Sequence, residues 1–178
     1  ELSNAKIIGW FQNRSEFGPR ALGSRSILMN PTPAKNKETI NKRIKHREEW
    51  RPFAGIMLEE YQEEYFMDIY PNEYMLYSLV VRPHQRRKLG AITHRDFSCR
   101  IQTVNKDLHP EVTTLLQKYN EITDTPVLLN TSFNDNGQYE HHCVSRRLKS
   151  PFCSYLIKIE FNFQSLHLQR VISPPSRY

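Results

Sequence analysis

The sequence lacks any apolar run long enough to cross a membrane. A spanning helix needs roughly 20 consecutive apolar residues, whereas the longest apolar run here, at residues 75–81, is interrupted by Ser78. The first residues also lack the basic, apolar and small-residue succession of a secretory signal. We therefore expect no membrane partner, and we take the cytoplasm as the default compartment.

Cysteine is scarce. The 178 residues include three cysteines, Cys99, Cys143 and Cys153, and no pair of them shows a CxxC spacing. An odd count without that spacing argues against a disulfide framework and against a structural zinc site. We expect the three thiols to be reduced and structural.

Familiar metal and nucleotide motifs are missing as well. His94 and Asp96 lie two residues apart, but two ligands fall short of a metal site. The adjacent residues His141, His142 and Cys143 would point to opposite faces of a strand, which disfavours a shared metal ion. Neither a Walker motif nor a GxGxxG run is present. We predict no protein metal site, and any nucleotide must be held in another way.

The positive charge of the chain is unevenly placed. The formal net charge is +6, which raises the possibility of nucleic-acid binding. Residues 139–178 hold six of the 25 Lys and Arg and two of the 19 Asp and Glu, a balance of +4, which leaves only +2 for residues 1–138. Nucleic acid is therefore an unfavoured partner, and each arginine must be judged by its position.

Strand-like and helix-like segments alternate along the first 138 residues. Short apolar segments predict strands within residues 6–11, 74–81, 91–105 and 127–134. We expect residues 74–81 to be covered on both faces, and Arg100 to share a strand face with Gln102. Pro110 and the apolar spacing after it predict a helix that ends before Thr125.

Two further helical segments are expected. Residues 35–49 contain strong helix formers, with Ile40 and Ile44 on one face, and a proline after Arg51 places the end of this helix near Trp50. Residues 21–22 can begin a short helix before Gly23. Intermixed strands and helices predict an α/β or α+β domain, in which helices pack against a sheet.

The polar loops are rich in arginine and asparagine. A guanidinium group pairs with phosphate or carboxylate through two parallel hydrogen bonds, and an amide side chain both donates and accepts. These residues suit a phosphorylated small molecule with an amide or carboxyl group. The alternative is that each arginine caps a helix or pairs with Glu16, Glu48 or Asp96. The residues concerned are Arg14, Arg20, Arg25, Lys45, Arg51, Arg100, Asn130, Thr131, Ser132 and Asn134.

Five ordered segments carry a resemblance to a known family. They read GWFQNRSEFGPRALGSRSILMNP, INKRIKHREEWRPFAGIMLEE, YMLYSLVV, ITHRDFSCRIQTVN and TPVLLNTSFNDNGQ. About residues 6–138 thereby resemble the C-terminal domain of the O-carbamoyltransferases, a family that includes nodulation proteins of the NodU type and antibiotic-tailoring enzymes. We accordingly expect residues 1–138 to form that domain. The resemblance implies a YrdC-like α/β fold, with a twisted mixed sheet and flanking helices.

The resemblance also implies a reaction. Family members join carbamoyl phosphate to ATP, giving carbamoyl adenylate and pyrophosphate, and a preceding actin-like domain with a bound iron then transfers the carbamoyl group to a hydroxyl. We expect that transfer domain, and its iron, to be absent from this chain, and we expect Mg²⁺ to accompany ATP. The family's contacts to carbamoyl phosphate and ATP, and its catalytic cations, correspond to Arg20, Lys45, Arg51, Arg100, Asn130 and Ser132.

The chain departs from the family pattern at two places. Phe97 stands where the family usually has glycine, so we expect the turn there to change or shift. Residues 139–178 form an atypical basic tail, for which a shifted reading frame is one hypothesis. Two alternatives to the enzymatic reading remain open, namely a basic YrdC-like module that binds RNA and an inactive fragment without its transfer domain.

Overall fold

The computed structural model describes residues 1–134, in which six strands form one sheet. The strands are β1 (Ile8–Phe11), β2 (Arg25–Met29), β3 (Ala54–Leu58), β4 (Ser78–Val80), β5 (Ser98–Val104) and β6 (Val127–Ser132). The α-helices are α1 (Lys35–Ile40), α2 (Gln62–Tyr65) and α3 (Pro110–Thr123). A π-helical turn, Asn41–Lys45, continues α1, and short 3₁₀ turns lie at Leu2–Asn4, Glu59–Tyr61 and Pro83–Gln85.

The sheet is mixed, with the strand order β1-β2-β6-β3-β5-β4. Strands β3 and β5 run parallel, and every other neighbouring pair is antiparallel. In this strand order, β6, which follows α3 along the chain, lies between β2 and β3 in the middle of the sheet. This arrangement confirms the predicted α/β fold, with helices flanking a mixed sheet.

Apolar side chains cover both faces of the sheet. On one face, α3 contributes Val112, Leu116 and Tyr119 to a cluster with Ile56 and Leu128. On the other face, Ile40 and Ile44 join a second cluster. It also contains residues of the loops and the strand residues that alternate with those of the first cluster. The alternation of side chains along each strand produces this division. The predicted helix at residues 110–123 is confirmed.

The helix predicted over residues 35–49 ends earlier than expected. It stops at Lys45, and His46 takes a left-handed conformation with φ 45°. The cause is Asn41, whose Nδ2 donates to the carbonyl oxygens of Glu49 and Arg51 at 3.2 and 3.0 Å. Its Oδ1 accepts a bond from Nε of Arg47 at 2.7 Å. These bonds fold residues 46–51 back against the turn, so the helix cannot continue to Trp50.

The strand predicted at residues 74–81 is mostly absent. Ser78–Val80 forms the edge strand β4 and Val81 makes an isolated bridge with Phe66, whereas Leu76 and Tyr77 are exposed. Asn72 is the physical reason. Its Oδ1 accepts hydrogen bonds from the backbone N–H groups of Leu76 and Tyr77. Its Nδ2 donates hydrogen bonds to the carbonyl oxygens of Tyr77 and Ile101. The backbone groups of this segment are therefore bonded to one side chain rather than to a neighbouring strand.

We predict that Asn72→Ala lowers the free energy of unfolding by about 2–4 kcal/mol, because it leaves buried backbone groups without partners. Urea denaturation of the 178-residue chain measures this change. Asn30→Ala is the control, since Asn30 makes one exposed side-chain bond, to the N–H of Thr32, and we expect it to cost under about 1 kcal/mol. Equal, small effects of the two substitutions would show that Asn72 does not organise the segment.

Candidate functional site

The loop between β1 and β2, here called the arginine loop (residues 12–24), is organised by the buried carboxylate of Glu16. Its Oε1 accepts hydrogen bonds from the backbone N–H groups of Leu22, Ser24 and Arg25, at 2.8, 2.7 and 3.0 Å. These bonds use N–H groups that a helix would need, so the predicted short helix at residues 21–22 does not form. Gly23 has φ +94°, a conformation that favours glycine.

Arg25 has a structural role in this loop. It is buried, its guanidinium donates to the carbonyl oxygens of Gln12, Asn13 and Ser24, and its Cζ lies 3.3 Å from the centroid of the Phe11 ring. Burial lowers the pKa of Arg25, and the charge of Glu16 opposes that shift. Arg25 therefore holds the shape of the loop, whereas Arg14 and Arg20 are exposed.

Two side-chain amides from the sheet hold the arginine loop from below. Asn130, on β6, donates through Nδ2 to the carbonyl oxygen of Ala21 at 3.0 Å. Gln102, on β5, donates through Nε2 to the carbonyl oxygen of Leu22 at 3.0 Å. The loop segment that carries Arg20 is thus tied to two strands of the sheet.

A cavity of about 150 Å³ lies between the arginine loop and the sheet. On β6, the pairing partner of Ala54 is Asn130. On β5, the partner of Gly55 is Ile101, so the preceding residue, Arg100, lies on the other side of Ala54. The small side chain of Ala54 therefore lies between two longer ones and leaves room above the sheet. The polar lining consists of Arg20, Arg47, Arg100, Asn130, Thr131 and Ser132.

The cavity is electropositive. Burial, together with the nearby charge of Arg20, lowers the pKa of Arg100. Burial and the charge of Arg51 likewise lower the pKa of Arg47, against the opposing effect of Glu48. Within residues 1–134, none of the three lining arginines has a carboxylate within 4.0 Å. Cations that repel one another without a neighbouring carboxylate favour the binding of an anion.

Two polar atoms of the cavity-lining residues are buried and have no hydrogen-bond partner in the described part of the chain. They are Oδ1 of Asn130 and Nε of Arg100. The bond from Asn130 to Ala21 fixes which end of the amide is the free acceptor. A buried acceptor and a buried donor on either side of Ala54 suit a ligand that offers both an N–H group and an anionic oxygen.

The sequence-predicted site residues divide into three groups. The structure brings Arg20, Arg100, Asn130 and Ser132 together around the cavity. Lys45 is buried beside them, and its Nζ donates to Ser132 and Asn134, at 2.6 Å to the Ser132 carbonyl oxygen. Arg51 lies outside the lining, where its Nε pairs with Glu48 at 2.9 Å.

Arg47 was missed by the sequence reasoning. It lines the cavity, and its Cζ lies 4.8 Å from the centroid of the Phe53 ring. A helix that continued to Trp50 would give no reason to expect Arg47 in the cavity lining and Arg51 outside it. The early helix end at Lys45, which depends on the side chain of Asn41, turns Arg47 towards the cavity.

The His94 and Asp96 pair closes a turn in this structure. Asp96 Oδ1 accepts hydrogen bonds from the backbone N–H and the hydroxyl of Ser98, and His94 Nδ1 lies 3.2 Å from that hydroxyl. Phe97 has φ 63°, which favours glycine, and Arg86 stacks on its ring at 3.7 Å. No group of three His, Cys, Asp or Glu residues able to hold a metal ion occurs within residues 1–134.

Cys99 is a buried free thiol, and burial raises its pKa to about 12. The metal-like residues 141–143 and the other two cysteines lie outside the described residues. Among residues 1–134, no helix is long and apolar enough to span a membrane.

Comparison with known proteins identifies the class of this domain. Residues 1–149 match the family described as carbamoyltransferase C-terminus, and the chain belongs to that family. The match extends past residue 138, where the sequence blocks placed the domain boundary.

Several curated proteins are similar to the chain. Nodulation protein NolO of Bradyrhizobium diazoefficiens is 45% identical over 142 residues, which cover 77% of this chain and 26% of that protein. Nodulation protein U of Rhizobium tropici is 39% identical, with 77% and 24% covered. The 3'-hydroxymethylcephem-O-carbamoyltransferase of Amycolatopsis lactamdurans is 38% identical, with 77% and 26% covered. The chain therefore spans about a quarter of the length of these relatives.

We predict that Glu16→Gln loosens the arginine loop, because a neutral amide oxygen is a weaker acceptor than a carboxylate. Unfolding should become easier by about 1–3 kcal/mol, and the amides of Leu22, Ser24 and Arg25 should exchange hydrogen faster. Glu121→Gln is the matched control, since the exposed carboxylate of Glu121 bonds Lys118 within α3, outside the arginine loop. Unchanged exchange at the three amides would contradict the role given to Glu16.

Proposed function

We propose that this domain binds carbamoyl phosphate in the cavity, binds ATP next to it, and promotes formation of carbamoyl adenylate. The observation that carries the proposal is the set of Arg20, Arg47 and Arg100 around one small cavity, none of which has a carboxylate within 4.0 Å in residues 1–134. Membership of the carbamoyltransferase C-terminus family supports the choice of ligand. One relative is named as an O-carbamoyltransferase, which supports a hydroxyl group on another molecule as the final acceptor.

The chemistry requires an electropositive site. Carbamoyl phosphate loses its phosphate to water, which leaves a carbamate; a carbamate oxygen then attacks the α-phosphorus of ATP, and the bond to the β-phosphate breaks. Negative charge accumulates on the leaving pyrophosphate during this step. Fixed guanidinium groups stabilise such charge, and removing one preorganised donor of this kind costs a factor of about 100–1,000 in rate.

Five of the six polar lining residues have a role in this proposal. Arg20 and Arg100 hold phosphate oxygens, and Arg47 adds a third cation. Oδ1 of Asn130 accepts a hydrogen bond from the carbamoyl NH₂ group. The Ser132 hydroxyl, which donates to Oδ1 of Asn134 in this structure, turns to donate to a phosphate oxygen. Lys45 orients Ser132 through the bonds already described. Arg51 becomes a ligand contact only if its pairing with Glu48 opens.

The expected Mg²⁺ has no evident protein site in the described residues. A magnesium ion prefers oxygen ligands in octahedral geometry and is commonly held by substrate phosphates together with one or two carboxylates. The polar cavity lining contains arginine, asparagine, threonine and serine but no carboxylate. The donor set does not fit a resident ion, and no step of the proposal depends on one.

We predict that Arg100→Ala weakens carbamoyl phosphate binding about 10–100-fold, as expected for loss of a charged hydrogen bond worth about 1.5–3 kcal/mol. Calorimetric titration of the 178-residue chain measures the affinity for carbamoyl phosphate. A pyrophosphate-release assay in the presence of ATP measures adenylate formation. Arg95→Ala is the control, since Arg95 is exposed and lies outside the cavity lining. The assignment is wrong if the two variants bind alike, and the proposed function is wrong if the parent chain binds neither ligand.

We predict that Ala54→Val abolishes ligand binding by filling the cavity while leaving every charge in place. The two added methyl groups enter the cavity, and we expect any strain against its walls to cost no more than about 1–3 kcal/mol in stability, which leaves the domain folded. Ala34→Val, at an exposed position, controls for the substitution itself. Circular dichroism confirms folding, and calorimetry measures binding. Retained binding in the Ala54 variant would place the ligand elsewhere.

A further inference from the structure

The arginine loop is tied to the sheet at two successive carbonyl groups. Asn130 holds the carbonyl of Ala21, and Gln102 holds the carbonyl of Leu22. The two amides come from β6 and β5, which lie on opposite sides of β3. The backbone immediately after Arg20 is therefore fixed relative to the strands that carry Arg100 and Asn130.

Packing alone does not account for an amide at position 102. Gln102 is fully buried, at 0% exposure, and its Oε1 has no hydrogen-bond partner in the described residues. Methionine would fill the same space without an unpaired buried oxygen. Among residues 1–134, the one polar contact of this side chain is the bond that Nε2 donates to the Leu22 carbonyl, so the amide stabilises the loop rather than the core.

Arg20 needs such a restraint because it lies near another cation. Arg20 and Arg100 line the same cavity, and neither has a carboxylate within 4.0 Å in the described part of the chain. Before a ligand arrives, repulsion between the two guanidinium groups favours movement of an exposed loop away from the sheet. Bonds that hold the loop backbone oppose that movement and keep the anion site assembled.

We propose that Gln102 is a positioning residue that holds Arg20 in the cavity by fixing the Leu22 carbonyl. The inference rests on the proposed function for its binding readout, but the restraint on the loop can be observed without any ligand. Gln102 does not line the cavity, so its effect on a ligand must pass through the arginine loop.

A double-mutant cycle tests this role. Gln102→Met keeps the size of the side chain and removes the donor, and it should weaken carbamoyl phosphate binding about tenfold in the otherwise unchanged chain. In an Arg20→Ala background the same substitution should change binding less than about twofold, because the residue through which it acts is gone. An equal loss in both backgrounds, or no loss in either, overturns the proposal.

Hydrogen exchange in the ligand-free chain gives an independent result. Gln102→Met should speed exchange at the amides of Leu22, Gly23 and Ser24, and Gln102→Leu should do the same, because it also lacks the donor. Gln85→Met is the matched control, since Gln85 is a buried glutamine whose Nε2 bonds Glu64 at 2.9 Å, outside the cavity lining. Unchanged exchange in both Gln102 variants overturns the proposal even if the parent chain binds no ligand.

Discussion

The site depends on the buried carboxylate of Glu16 and the three backbone N–H groups that share its Oε1. Ordering a loop residue costs about 1–2 kcal/mol in backbone entropy, and a loop of this length needs a strong local interaction to offset that cost. Charge-assisted hydrogen bonds are about twice as strong as neutral ones. With its backbone closed around Glu16, the arginine loop can present Arg20 above the sheet.

The strand order then brings distant residues together. Because β6 lies between β2 and β3, Asn130 is one strand away from Ala54, and Arg100 is on the next strand beyond. Arg20 reaches the same place from the loop before β2. Residues separated by more than 100 positions along the chain thus surround one cavity of about 150 Å³, and the small side chain of Ala54 is part of its lining.

Arginines that lie close together in the sequence have different roles in the structure. Their hydrogen-bond and ion-pair partners distinguish these roles. Arg25 satisfies three carbonyl oxygens and stacks on Phe11, so it is part of the frame. Arg51 pairs with Glu48 at the surface. Arg20, Arg47 and Arg100 share a cavity without a carboxylate within 4.0 Å in the described residues. Concentrating like charges in this way destabilises the folded state, and such local conflicts are typical of functional sites.

Local patterns in the sequence determined α3, β1, β5 and β6, because helical spacing, alternation and proline act within a few residues. They also indicated Arg20, Arg100, Asn130 and Ser132 through the residue types and the family resemblance. Only the tertiary structure decided where α1 ends, why residues 74–77 leave the sheet, and that Arg47 faces the cavity while Arg51 does not. Asn41 and Asn72 bind backbone groups in folded segments, and no periodic pattern records such bonds.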